Sequence, residues 1–261
     1  MVRGLDIFKQ YFAAYPDQYV LIGGTACDII LGSEGFKPRA TKDIDIILVV
    51  EVLNADFVRQ FWLFIQDGNY ERKEKSDEER QYFRFAKPEN DDFPQQIELF
   101  ARNPDLIGMD EDTHLTPIPV DDDLSSLSAI LLDDDYYDYM IAHSEIEDGV
   151  RRANTEALIC LKAKAYFEIK DRIEQGGKED GKHLKKHKAD VFRLGVTIGV
   201  EDVHELPQRL KEDMQKFMDE VKDDLPGKEI FKEMGLGKIE PEVVYSQLLK
   251  SSDLNGKSVD G

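Results

Sequence analysis

With 261 residues, 41% of them apolar, the chain can bury one large core or two small ones, which excludes wholesale disorder. Against 34 Lys and Arg stand 54 Asp and Glu, a formal net charge of −20, which argues against strong non-specific adhesion to DNA or to an anionic membrane. Two cysteines without ligand-like spacing, no apolar leader and no bilayer-length apolar run set the expectation of a cytoplasmic protein in a reducing compartment.

Residues 4–15 carry the spacing of an amphipathic helix that ends near Pro16. "QYVLIGG" predicts a short buried strand stopped by Gly23 and Gly24, and "TACDIILG" a helix with Thr25 as N-cap and Gly32 as its stop. "SEGFKPRATK" reads as a loop, and "DIDIILVV" as an interior strand. Asn54 is placed to cap a helix over 55–66 that Gly68 closes. From residue 80 the period becomes two. "RQYFRFAKP" and "QQIELFAR" predict an antiparallel pair around the polar "ENDDFP". "SSLSAILLDDDYYDYMIA" predicts a second hairpin with Asp133 to Asp135 at its turn. Three helical patterns follow residue 153: "TEALICLKAKAYFEIKDRI", "KHLKKHKADVFRLGVTI" and "ELPQRLKEDMQKFMDEVKD".

The carboxylates of the first half have a shared grammar. On a strand, Asp43 and Asp45 face one way while Ile44 and Ile46 face the other, with the aspartate α-carbons about 6.5–7 Å apart. Two anions on one face of an apolar strand are costly unless a metal or a water-filled cleft receives them. At that spacing they can converge on Mg²⁺, the ion that serves phosphoryl transfer. Glu98, between Ile97 and Leu99, has the same parity, and a neighbouring strand can bring it beside the pair. Upstream, Gly23 and Gly24 remove β-carbons at a strand-to-helix turn, where backbone N–H groups suit a phosphate. Thr25 either donates its hydroxyl to that phosphate or caps the helix.

The order strand, Gly-Gly-Thr, helix, "RATKDIDI" strand and a later lone strand carboxylate resembles the DNA polymerase β-like nucleotidyltransferase superfamily. Within it the chain looks most like the abortive-infection toxin-like nucleotidyltransferases. The matching positions are Gly23, Gly24, Thr25, Ala26, Arg39, Thr41, Lys42, Asp43, Ile44 and Asp45, then Lys162 and Asp190. One departure stands out: the third acid is a glutamate where the superfamily more often has aspartate. The resemblance implies an α+β fold, a nucleotidyltransferase-like mixed or antiparallel sheet with flanking helices. The change from mixed α/β to helical texture sets a division near residue 150, and "SSDLNGKSVDG" reads as a flexible tail over 251–261. The resemblance makes 1–150 the catalytic domain and 151–250 a helical domain closing the nucleotide cleft. It also implies transfer of a nucleoside monophosphate from an NTP to a hydroxyl acceptor (RNA or tRNA, a protein, or a small molecule), and an antitoxin partner for a toxin-like component. Asp43, Asp45 and Glu98 would hold Mg²⁺ or Mn²⁺. Gly23, Gly24, Thr25 and Lys162 would hold the triphosphate, with Arg39 or Lys42 offsetting charge nearby. The alternative is an inactive nucleotide- or protein-binding member of the same fold.

Lys162 is unusual on its own terms. On a helical wheel it falls inside the stripe of Leu158, Leu161, Ala165, Tyr166, Ile169 and Ile173, whereas Lys164 projects from nearly the opposite side and reads as surface. A lysine in that stripe either snorkels to water or reaches a buried anion. "KHLKKHKADVFR" is the one strongly basic segment, either a solvated face or a patch for nucleotide or RNA. Asp190 either orients Lys162 or a ribose, or is an ordinary helix carboxylate. His183 and His187 lack a third ligand for a metal. The acidic triplets at 121–123 and 133–135 have no calcium-loop spacing and read as solvated turns.

Overall fold

Parity along the strands decides which side of the sheet each residue serves. The computed structural model describes residues 2–39, 41–49, 51–70, 82–100, 133–176 and 181–254. In chain order the elements are α1 (Leu5–Phe12), β1 (Tyr19–Ile22), α2 (Gly23–Ser33), β2 (Asp43–Leu48), α3 (Ala55–Asp67), β3 (Tyr82–Ala86) and β4 (Gln96–Phe100). Then come α4 (Asp134–Ala142), β5 (Ser144–Glu147), β6 (Val150–Ala153), α5 (Thr155–Glu174), α6 (Gly181–Gly195), α7 (Gln208–Val221), α8 (Glu229–Glu233) and α9 (Pro241–Ser251). The fold is α+β: a six-stranded mixed sheet in the order β3-β4-β2-β1-β6-β5, flanked by helices. β1 runs antiparallel to β2 and parallel to β6, while β2 runs parallel to β4.

Each face of the sheet has its own apolar layer. Leu21, Ile44, Ile46, Leu48, Ile97 and Leu99 pack against phenylalanines of α1 and α3. Val20, Ile22, Ile47, Val49 and Phe100 pack against α2, α4, α5, α6 and α7. Asp43 and Asp45 share parity with Ile47 and Val49, so they face the second layer, toward α2 and the C-terminal helices.

The expected strand at 19–22, the loop before residue 43 and the antiparallel pair β3–β4 are present. Asn54 caps α3 by accepting from the Phe57 N–H at 2.9 Å. Three expectations need correction. Thr25 is not an N-cap: α2 begins directly at Gly23, with Ile22 in the cap position and no side-chain cap bond. Asp133 to Asp135 do not turn a hairpin. Asp133 accepts from the Asp135 N–H at 3.0 Å and starts α4, where the burial of Tyr136, Tyr137, Tyr139 and Met140 overrides β-propensity. Residues 125–132, the other arm of that expected hairpin, and the triplet 121–123 lie outside the described residues. Lys164 is not a surface residue: it is half-buried and reaches Asp213 of α7 at 3.4 Å. This follows from α5 being buried nearly all round rather than along one stripe.

The expected division at residue 150 falls inside β6. Ser251 and Ser252 are buried at the end of α9, and residues 255–261 lie outside the described residues. Among the described residues no helix is long and apolar enough to cross a membrane.

Candidate functional site

The carboxylates meet because of strand register. Asp45 pairs with Glu98 and Asp43 with Gln96 across the parallel β2–β4 junction, so the two acids Asp45 and Glu98 stand side by side on adjacent strands about 4.8 Å apart. Glu98 is 6% exposed, whereas Asp43 and Asp45 are half-buried. Arg84, paired with Glu98 across β3–β4, donates to Glu98 Oε1 from Nε at 2.7 Å and approaches it with Nη2 at 2.6 Å. Gln96 Nε2 donates to the same oxygen at 3.0 Å.

Positive charge does not match this crowding. Burial, then the neighbouring Glu98 charge, pushes the Asp45 carboxyl up to about 7. Burial also raises Asp43 and Glu98, in the latter case against the opposing pull of Arg84. A divalent cation would relieve that repulsion, and carboxylate oxygens are the donors Mg²⁺ and Mn²⁺ prefer. Asp43 and Asp45 could hold it through their carboxylate oxygens. Glu98 is drawn toward Arg84, and among the described residues no three acid, histidine or cysteine side chains already form a ligating group. The donor chemistry fits the ion, with Glu98 joining only if it exchanges Arg84 for it.

The glycine turn belongs to the same site. Gly23 has φ +67°, a conformation that suits glycine, and a β-carbon there would overlap the Asp45 carboxylate. At Gly24 a β-carbon would come within 2.9 Å of Thr41 Oγ1 and 3.4 Å of Arg39 Nη2. The first turn of α2 is therefore buried against Asp45 and Arg39, and its backbone N–H groups have no side-chain cap. Thr25 is fully buried, and its hydroxyl donates to the Asp43 carbonyl at 2.6 Å, tying α2 to the start of β2.

Behind this turn lies a buried ionic cluster. Lys162 on α5 is 2% exposed and Asp190 on α6 is 3% exposed. Their Nζ and Oδ2 atoms are 3.6 Å apart. Arg39 reaches Asp190 Oδ1 at 3.8 Å and Arg193 reaches it at 3.3 Å. Asp190 Oδ2 accepts no hydrogen bond among the described residues. Burial works against the Lys162 ammonium, but Cys27, Asp190 and Asp45 outweigh it and leave its pKa above the ordinary value. Lys162 is thus a charged, dry ammonium beside the carboxylate face.

Of the expected residues, Gly23, Gly24, Arg39, Asp43, Asp45, Glu98, Lys162 and Asp190 come together. Lys42 stays exposed, although its charge is felt at Asp43. Sequence reasoning missed Arg84, Asp28 and Lys186. Asp28 accepts from the Thr41 N–H at 2.8 Å and pins the loop that carries Arg39. The i, i+4 spacing of Lys186 and Asp190 was the visible signal for the third. His187 is buried beside Lys162 and Lys186, and burial and those charges push its pKa well down, while His183 is exposed. Comparison with known proteins finds no matching family model and no matching curated protein.

Proposed function

We propose that the chain is a metal-dependent nucleotidyltransferase of the polymerase β-like kind: an acceptor hydroxyl oxygen would bond to the α-phosphorus of an NTP, the bond from that phosphorus to the β-phosphate oxygen would break, and pyrophosphate would leave. The observation that carries the reading is the juxtaposition of Asp45 and Glu98 in register, with the uncapped glycine turn pressed against Asp45. Mg²⁺ or Mn²⁺, held by Asp43 and Asp45, would supply neutralisation of the triphosphate and of charge developing on the attacking oxygen. The N–H groups of α2, with Arg39 and Lys162, would bind the phosphates. The proton of the acceptor hydroxyl would pass to Glu98. Glu98 would serve as third acid once free of Arg84.

The acceptor is a tRNA or protein hydroxyl in the reading that the toxin-like resemblance favours, and a cognate antitoxin would then be a partner. The second reading, a nucleotide binder without turnover, draws on one observation: Arg84 already occupies Glu98. Incubation with each labelled NTP, Mg²⁺, total tRNA and cell lysate separates the two. Turnover is expected in the wild type and lost in Asp43→Asn and in Asp45→Asn, with the fold intact by circular dichroism. Undiminished transfer in either variant would sink the metal assignment, and tight NTP binding with no product would favour the second reading.

A further inference from the structure

Two side chains of α2 reach across to the segment that leads into β2. Thr25 and Asp28 lie three residues apart, on one face of the helix. Thr25 is fully buried and Asp28 is 6% exposed. Thr25 Oγ1 donates to the Asp43 carbonyl at 2.6 Å, and Asp28 Oδ2 accepts from the Thr41 N–H at 2.8 Å. The helix therefore holds the chain on both sides of Lys42, whose own side chain stays exposed.

Each of these bonds borders a residue of the candidate site. The Thr25 bond is made to Asp43 itself, where β2 begins. Two residues before the Asp28 bond stands Arg39, whose side chain keeps 31% of its surface open and approaches Asp190 at 3.8 Å. A β-carbon at Gly24 would meet Thr41 Oγ1 at 2.9 Å and Arg39 Nη2 at 3.4 Å, so this loop lies directly on the glycine turn. Packing alone would be served by an apolar side chain at either position, without the cost of burying a hydroxyl or a carboxylate. What the two bonds add is a fixed distance between helix and strand. A site that brings phosphate to metal tolerates little error there, since a misplacement of about 1 Å can cost about 100-fold in rate.

We propose that Thr25 and Asp28 are positioning residues that set the glycine turn against the carboxylate strand, Thr25 acting on metal binding through Asp43 and Asp28 on triphosphate binding through Arg39. The inference rests on the nucleotidyltransferase reading and divides the support of that site between two side chains. Neither touches metal or nucleotide. Loss of the Thr25 hydroxyl frees the backbone of a metal ligand. Loss of the Asp28 carboxylate frees the loop that carries Arg39 and leaves the Asp43 tie in place. The two changes therefore fall on different affinities, which a general loss of packing would not produce.

The test uses the full chain, with the fold of each variant checked by circular dichroism. Mn²⁺ binding without nucleotide is measured by electron paramagnetic resonance, and binding of each ribonucleoside triphosphate with Mg²⁺ by calorimetry. Thr25→Val, which keeps the shape and removes the hydroxyl, is expected to weaken Mn²⁺ about tenfold, the scale of losing a group that orients a metal ligand. Thr25→Ser should restore it. Asp28→Ala is expected to leave Mn²⁺ affinity at the wild-type value and to weaken the preferred NTP about tenfold, the loss of one charged contact. Asp28→Asn, which keeps an accepting oxygen, should recover most of that affinity. In an Arg39→Ala background, Asp28→Ala should cost nothing further, because the residue it acts through is gone. Additive losses at Asp28 and Arg39, an equal fall of metal and nucleotide affinity in Asp28→Ala, or unchanged Mn²⁺ binding in Thr25→Val overturns the proposal. A wild-type protein that binds neither Mn²⁺ nor any NTP overturns the nucleotidyltransferase reading itself, and the proposal with it.

Discussion

Asp45 shows how a single crowded carboxylate can make stability depend on pH. Its carboxyl titrates near 7 in the folded protein because burial and Glu98 disfavour the anion, whereas an unfolded aspartate titrates near 3.9. A folded-state pKa raised above the unfolded one means that the folded protein holds a proton the unfolded chain gives up. The associated stability is complete below the unfolded pKa and is lost as pH rises through about 7. In EDTA, the wild type should lose stability relative to Asp45→Asn as pH is raised from about 4 to 8, by on the order of 1 kcal/mol once solvent screening of a half-buried group is allowed for. Urea unfolding across that pH range measures it. Added Mg²⁺ should shrink the difference, since a cation pays the charge penalty in place of the proton. A gap between the two proteins that is independent of pH would show that Asp45 is not crowded in the way its neighbours suggest.

At the scale of the element, the two layers around the sheet should be separable by mutation. Asn54 caps α3 through the Phe57 N–H, and α3 packs on the face opposite the carboxylates. Asn54→Ala is expected to cost about 1 kcal/mol of stability and to leave NTP affinity unchanged. Asn54→Asp, which keeps the accepting oxygen, should recover most of the loss. Denaturant melts and calorimetry decide, and a matching loss of nucleotide affinity would mean that the two faces are coupled. The same element explains what could be read from sequence. The Asn54 cap, the β1–glycine–α2 turn and the alternation of β2 and β4 are local patterns, so they were legible, as was the parity of Glu98. Lys162 was legible as a lysine among apolar neighbours. The β5–β6 hairpin was overlooked because its strands, "SEIE" and "VRRA", are charged. Its turn was nonetheless written in Asp148 and Gly149, which take φ +49° and +80°, the positive pair that a two-residue hairpin loop demands. Arg84 carries no such local mark, and Lys186 only its i, i+4 spacing to Asp190. Their roles come from strand register and helix packing, which bring together residues far apart in the chain.

The whole molecule is held by an apolar layer that crosses the expected domain division. Val20, Ile22, Ile47 and Val49 of the sheet share a cluster with Leu158, Leu161, Phe192, Met214 and Phe217 of the C-terminal helices. Pairing crosses it too, because β6 supplies the parallel neighbour of β1 and its residues 150–153 straddle the division. A chain cut after residue 150 would therefore lose most of β6 and every helix from α5 onward. It would expose the edge of β1, an open invitation to intermolecular pairing. It would also uncover the apolar face that now receives α5, at about 25 cal/mol per Å² of apolar surface left wet. Lys162 and Lys186 would leave with the helices, so Asp45 would lose the charge of both and Asp43 that of Lys186. Residues 1–150 expressed alone are thus expected to show no cooperative thermal transition, to bind a hydrophobic dye and to aggregate, while the full chain melts in a single step. Circular dichroism melts and dye fluorescence on the two chains test this directly. A sharp, reversible melt of residues 1–150 would show that the sheet stands without its helices. In that case the helical part would be a cover over the carboxylate face rather than half of the core.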